Sequence, residues 1–179
     1  MIRILFLLII ISCFSRAQTG QIQSIGTLTT YVILCPCKLF KYYENGEVFY
    51  FCKDSENQLE YLIREFKNKD KIDVIIDAFD KRIYGEDEFQ LDSILDSDKK
   101  TALENYLQQN PGGEHIDLMG EKAIILSSDL ENKIFFSDKE FMGSYEIIVS
   151  GKESSVINTF FDKSINSLML KSDYLKTLF

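Results

Sequence analysis

The sequence predicts an α+β domain in which a mostly antiparallel sheet, including a cysteine-bearing hairpin, packs against two or three helices. Three observations predict it. Asn45-Gly46 stands between two aromatic-rich runs, and that dipeptide favours the positive φ values of a two-residue hairpin turn. Beyond Asn110-Pro111-Gly112-Gly113, four short apolar runs are separated by turn residues. Three further stretches carry apolar residues at helical spacing.

In chain order, Met1-Ile2-Arg3 and the apolar run Ile4 to Ile11 have the charged start and short hydrophobic core of a secretory signal peptide, too short to span a bilayer. Ser15-Arg16-Ala17 puts small residues at the two positions a signal peptidase reads. The expected leader is therefore residues 1–17, followed by one globular domain over 18–179. A competing cut exists, because Ile10-Ile11-Ser12-Cys13 resembles the lipobox of bacterial lipoproteins, which implies a leader ending before Cys13 and a lipid anchor on that cysteine. Either cut exports the protein. Gln18 to Thr30 is polar with two glycines and reads as a loose lead-in, becoming a strand from about Thr27.

With Asn45 and Gly46 as the hairpin loop, Tyr43 opposes Val48, Tyr42 opposes Phe49, Lys41 opposes Tyr50, Phe40 opposes Phe51 and Leu39 opposes Cys52. One face then carries Phe40, Tyr42, Phe49 and Phe51, an aromatic surface expected to be buried against the rest of the domain. The other carries Leu39, Lys41, Tyr43, Val48, Tyr50 and Cys52. Alternation adds Cys37 to it, and Cys35 if Pro36 leaves the strand direction intact. Cys37 is diagonal to Cys52 at a Cβ separation of roughly 7 Å, beyond the ~4 Å of a disulfide, so a bulge or break at Pro36 must close the gap. In an exported protein the expected bond joins Cys52 to Cys37 or Cys35, which leaves one odd thiol.

After the hairpin, Ser55 is placed to cap a helix with Leu59, Leu62, Ile63 and Phe66 on one buried face, packed on the aromatic side of the hairpin. Ile72 to Phe79 fits both periodicities and is read as a strand from its β-branched content. Asp70, Asp73, Asp77, Asp80, Glu86, Asp87 and Glu88 form a carboxylate run without calcium-loop spacing, and read as a solvated face. Ser97 or Asp98 caps a second helix with Ala102, Leu103, Tyr106 and Leu107 inside. His115 to Leu118, Ala123 to Leu126, Lys133 to Phe136 and Tyr145 to Val149 are the antiparallel strands, and Gly151 closes the set. From Ser154 or Ser155 a third helix presents Ile157, Phe160, Phe161, Ile165 and Leu168 to the core.

Charge removes several function classes. The chain has 20 basic and 28 acidic residues, net −8, and a leader of residues 1–17 would take Arg3 and Arg16 but no acid, leaving −10. Such a surface argues against nucleic acid and against anionic lipid, and no second apolar stretch approaches a membrane span. No nucleophile-elbow, phosphate-loop or dinucleotide fingerprint is present. His115 is the single histidine, so imidazole chemistry depends on one residue just after a glycine turn.

The leading expectation is an exported, secreted or envelope-associated protein that binds another macromolecule or ligand without catalysing a reaction, which an exposed apolar or aromatic patch on the cysteine face of the hairpin would support. The alternative is thiolate chemistry, with Cys35, Cys37 and Cys52 holding a soft metal such as copper or zinc, or acting as a redox centre. Their spacing is neither a zinc-finger pattern nor a two-residue-spaced redox pair, so one structural disulfide and one buried free cysteine are the plainer reading. A small exported hydrolase is the third reading and requires a pocket holding His115 or two close carboxylates.

Overall fold

The computed structural model describes residues 20–66, 108, 113–138 and 143–178. Both leader cuts, the Ile72 to Phe79 segment, the carboxylate run and the helix expected after Ser97 lie outside the described residues. Within them the elements are β1 (Gln21–Ile25), β2 (Tyr31–Cys35), β3 (Phe40–Glu44), β4 (Glu47–Asp54), β5 (Leu59–Glu65), β6 (Gly113–Leu118), β7 (Glu121–Ser127), β8 (Glu131–Asp138), β9 (Gly143–Gly151), α1 (Ser154–Ser167), β10 (Met169–Leu170) and α2 (Lys171–Lys176).

The strands form two antiparallel sheets. One runs β3-β4-β5-β9-β8-β7-β6, and the smaller runs β1-β2-β10. The fold is thus mostly antiparallel β with a few helices, as composition and turn spacing predicted. The four strands expected after the Pro-Gly-Gly turn are β6 to β9, and the third predicted helix is α1, with Ile157, Phe160, Phe161 and Ile165 buried on one side.

The two sheets share a core. From the inner face of the large sheet come Val48, Tyr50, Cys52, Leu59, Tyr61, Ile63, Ile134, Phe136, Tyr145, Ile147 and Val149. Against them pack Ile25, Tyr31, Ile33 and Cys35 of the small sheet and the apolar side of α1. Tyr31 meets Tyr145 edge-on at 5.5 Å between ring centroids, and Phe136 stacks on Tyr145 at 5.1 Å.

Two polar devices join the layers. The β1–β2 turn uses Gly26 at φ 100°, where a Cβ would lie 1.9 Å from the Thr29 carbonyl oxygen, so only glycine fits. The Gly26 N–H donates to the Tyr50 hydroxyl at 2.9 Å, and the Thr27 N–H donates to the buried Glu65 carboxylate at 2.8 Å. Tyr50 in turn donates to Glu65 at 3.2 Å; burial first, and then the Glu65 charge, raises this phenol above its ordinary value and keeps the donor in place. The other device completes the β2 edge, where β10 pairs only with Tyr31 and Val32. Beyond them the Leu34 N–H donates to Ser167 Oγ at 2.8 Å, and Leu34 O accepts from Ser164 Oγ at 2.6 Å, so two α1 hydroxyls satisfy main-chain groups that β10 does not reach.

Three expectations are corrected. The lead-in is a strand earlier than expected, since Gln21–Ile25 already pairs with β2 through Gln21↔Cys35 to Ile25↔Tyr31. The segment after Ser55 is strand β5, not a helix. Asp54 accepts the Glu56 and Asn57 N–H groups in a tight turn, Gln58 takes φ 52°, and Leu59, Tyr61 and Ile63 then alternate into the core. Leu62 lies on the opposite face, and apolar residues on both faces produced the helical coincidence. The third correction concerns which side of the hairpin is buried.

Candidate functional site

The hairpin register is the one the Asn45-Gly46 turn requires: Phe40↔Phe51, Lys41↔Tyr50, Tyr42↔Phe49, Tyr43↔Val48 and Glu44↔Glu47, with Asn45 at φ 50° and Gly46 at φ 80°. Its burial is the reverse of the expectation. Val48, Tyr50 and Cys52 are in the core, whereas Phe40 is 68% exposed, Tyr42 41% exposed, and Phe49 and Phe51 are half-buried. The small sheet and α1 both pack on the cysteine side, leaving the aromatic side outward. There Tyr42 stacks on Phe49 at 5.1 Å with an interplanar angle of 11°. Tyr43, on the cysteine side but at the sheet edge, is 69% exposed.

Cys37 is bonded to Cys52 with Cα atoms 5.9 Å apart. Strand β3 begins only at Phe40, so residues 36–39 are free of the ladder and bring Cys37 close enough, as the proline requires. Cys35 lies on the small sheet, buried beside the fully buried Tyr61 hydroxyl. Burial pushes its thiol up to about 12, partly offset by the adjacent Tyr61 hydroxyl. The Tyr61 phenol is itself well above its ordinary value, through burial first and then the neighbouring Cys35.

For the three-thiolate reading the geometry is specific. Two of the three sulfurs are bonded to each other and the third is a thiol at neutral pH, while metal binding and nucleophilic attack need the thiolate. Among the described residues no group of three His, Cys, Asp or Glu side chains gathers around one point. All three thiolates could serve one soft metal only after the Cys37–Cys52 bond is reduced. Cys35 is therefore expected to resist a thiol-alkylating reagent in the native protein at pH 8 and to react within minutes in denaturant. Rapid native labelling, read by intact mass, would contradict this placement.

His115 is half-buried on β6, opposite Ile124. Five strand spacings separate β6 from β4, about 24 Å along the sheet at ~4.8 Å each, so His115 and Cys52 do not form a nucleophile–base pair.

Cross-strand pairing also builds a charged network that local sequence does not reveal. Arg64 on β5 donates to Glu47 of β4 at 2.6 Å and lies 3.9 Å from Glu146 of β9, with its guanidinium over Phe66 at 4.4 Å and Phe49 at 5.7 Å. The Glu146 carboxyl is raised, by burial first and then by Glu131 and Glu47, against the opposing charges of Lys133 and Arg64. The network sits on the outer face beside the aromatic patch and holds β4, β5 and β9 together.

A cleft of about 720 Å³ lies at one end of the sheet, between the β4–β5 turn and the β9 end, with Lys53, Asp54, Glu60, Glu131 and Lys152 on its walls. Asp54 is committed to its turn, Glu60 to Lys53 at 2.5 Å and Glu131 to Lys133 at 2.8 Å. These carboxylates have structural partners rather than a shared target. No protein family, curated protein or solved structure matches this chain.

Proposed function

We propose that this is an exported, non-catalytic binding protein whose contact surface is the aromatic outer face of the β3–β4 hairpin. One observation carries the reading. Phe40 and Tyr42 stand exposed beside half-buried Phe49 and Phe51, on a hairpin anchored from behind by a disulfide and the core. Aromatic rings supply large, rigid contact area at little entropic cost, and Tyr keeps a polar handle. An exposed patch on a sheet held by a disulfide and the core suits a preformed binding surface rather than a reaction pocket. The disulfide is compatible with an oxidising compartment outside the cytoplasm, and no helix among the described residues is long and apolar enough to cross a membrane.

The test is a photo-crosslinking side chain at Phe40 in the exporting cell, with the same group at Leu28, an 82% exposed residue in the β1–β2 turn, as the control. A discrete adduct from position 40 alone, lost when Tyr42 and Phe49 are changed to Ser, is expected. Equal labelling at both positions, or none at position 40, would overturn the assignment.

A further inference from the structure

We infer that β3 is a self-association edge, at which a second copy of this chain adds its own β3 antiparallel and joins the two large sheets into one. The inference concerns the edge of the hairpin, goes beyond the reading of its outer face, and leaves that face open.

The geometry starts from the turn. In a two-residue loop the flanking residues form a hydrogen-bonded pair, here Glu44 with Glu47, and such pairs alternate along the ladder. Glu44, Tyr42 and Phe40 therefore direct their main-chain groups at β4, and Lys41 and Tyr43 direct theirs outward. Among the described residues strand β3 ends its sheet, and all five of its residues are exposed. An edge of this kind is a template for another strand.

A two-fold axis perpendicular to the sheet keeps each residue on its own face, so only pairings between residues of like parity are open to a symmetric dimer. Centring the axis on Tyr42 places Lys41 opposite the partner's Tyr43, and Tyr43 opposite the partner's Lys41. Those are the residues with outward main-chain groups, so each position gains a reciprocal pair of hydrogen bonds. Centring on Lys41 would set two ammonium groups directly opposite each other, which is repulsive, and centring on Tyr43 would oppose Lys41 to the turn residue Asn45.

The Tyr42-centred register also agrees with the side chains. Lys41 Nζ already lies 5.4 Å from the Tyr43 ring and 5.3 Å from the Tyr50 ring of its own copy, and the pairing brings the partner's Tyr43 beside the same cation. Glu44 stands opposite the partner's Phe40, so no like charges meet across the pair. On the outer face Tyr42 adjoins the partner's Tyr42, so the two aromatic patches become one band. The other edge of the large sheet, β6, carries exposed Glu114 and Asp117 in a chain already at net −8, and offers no such complement.

A five-residue strand pair is smaller than a standard interface, so the dimer is expected to be reversible, with a dissociation constant on the order of 10–100 µM. Sedimentation velocity of the exported chain across this concentration range should show the monomer peak moving to dimer. Lys41→Pro should hold it monomeric, because that variant removes an outward N–H and none of the β4 ladder. Register is tested by oxidation. Tyr42→Cys faces itself across a non-hydrogen-bonded pair with Cα atoms about 4.5 Å apart, within disulfide range, so it should form a covalent dimer. Tyr43→Cys alone should not. A chain that stays monomeric to 500 µM, or linking as efficient at 43 as at 42, would overturn the inference. Position-40 photo-adducts to another protein would still stand in either case, so the two readings fail separately.

Discussion

Removing the Cys37–Cys52 bond by the double Cys37→Ala/Cys52→Ala substitution is expected to cost about 3 kcal/mol and lower the melting temperature by roughly 6–12 °C. The bond spans 15 residues, and closing a loop of that length takes corresponding entropy from the unfolded chain. The position adds to the effect. Residues 36–39 carry the chain from β2 in the small sheet to β3 at the edge of the large one, and Cys37 is the covalent point at which this crossing is tied to β4. Cys35 is buried on the other layer, against Tyr61. Calorimetry of the wild type, the double variant and reduced wild type checks this. The last two should agree, and a shift below 2 °C would mean that the bond constrains little.

The second large effect separates the two aromatic populations. Phe160→Ala, on the buried side of α1 at 2% exposure, should cost about 3–5 kcal/mol, since it deletes a ring from the contact between helix and sheet and leaves a cavity. Phe40→Ser should change stability by no more than about 0.5 kcal/mol, because its ring is already in water. Urea unfolding of both variants reads the contrast directly. Comparable costs would mean that the outer hairpin face is covered after all, and would remove the support for the binding surface.

That contrast also marks where sequence reasoning stopped. The Asn45-Gly46 turn and its register were legible because two positive-φ residues and one parity determine every pair up to Phe51, where the ladder ends before the expected Leu39 and Cys52 pair. The strands β6 to β9 were legible from turn residues between apolar runs, and α1 from the stripe Ile157, Phe160, Phe161 and Ile165. The β5 strand was not, because Leu62 on the outer face supplied a helical spacing that Leu59, Tyr61 and Ile63 did not need.

Local geometry follows from neighbouring residues alone: turn type, strand parity, the α1 stripe, and the set of cysteines able to meet. Tertiary structure decided which hairpin face is core, which cysteine pairs with Cys52, and which carboxylates share Arg64. The physical reason is that both hairpin faces were apolar enough to be buried. The choice fell to elements outside the hairpin, Ile33 and Cys35 of β2 just before it and Phe160, Phe161 and Ile165 of α1 far beyond it, which all arrive on the cysteine side. Glu146 reaches Arg64 only because β9 pairs with β5 across the 77 residues between the two strands, a contact that no local pattern encodes.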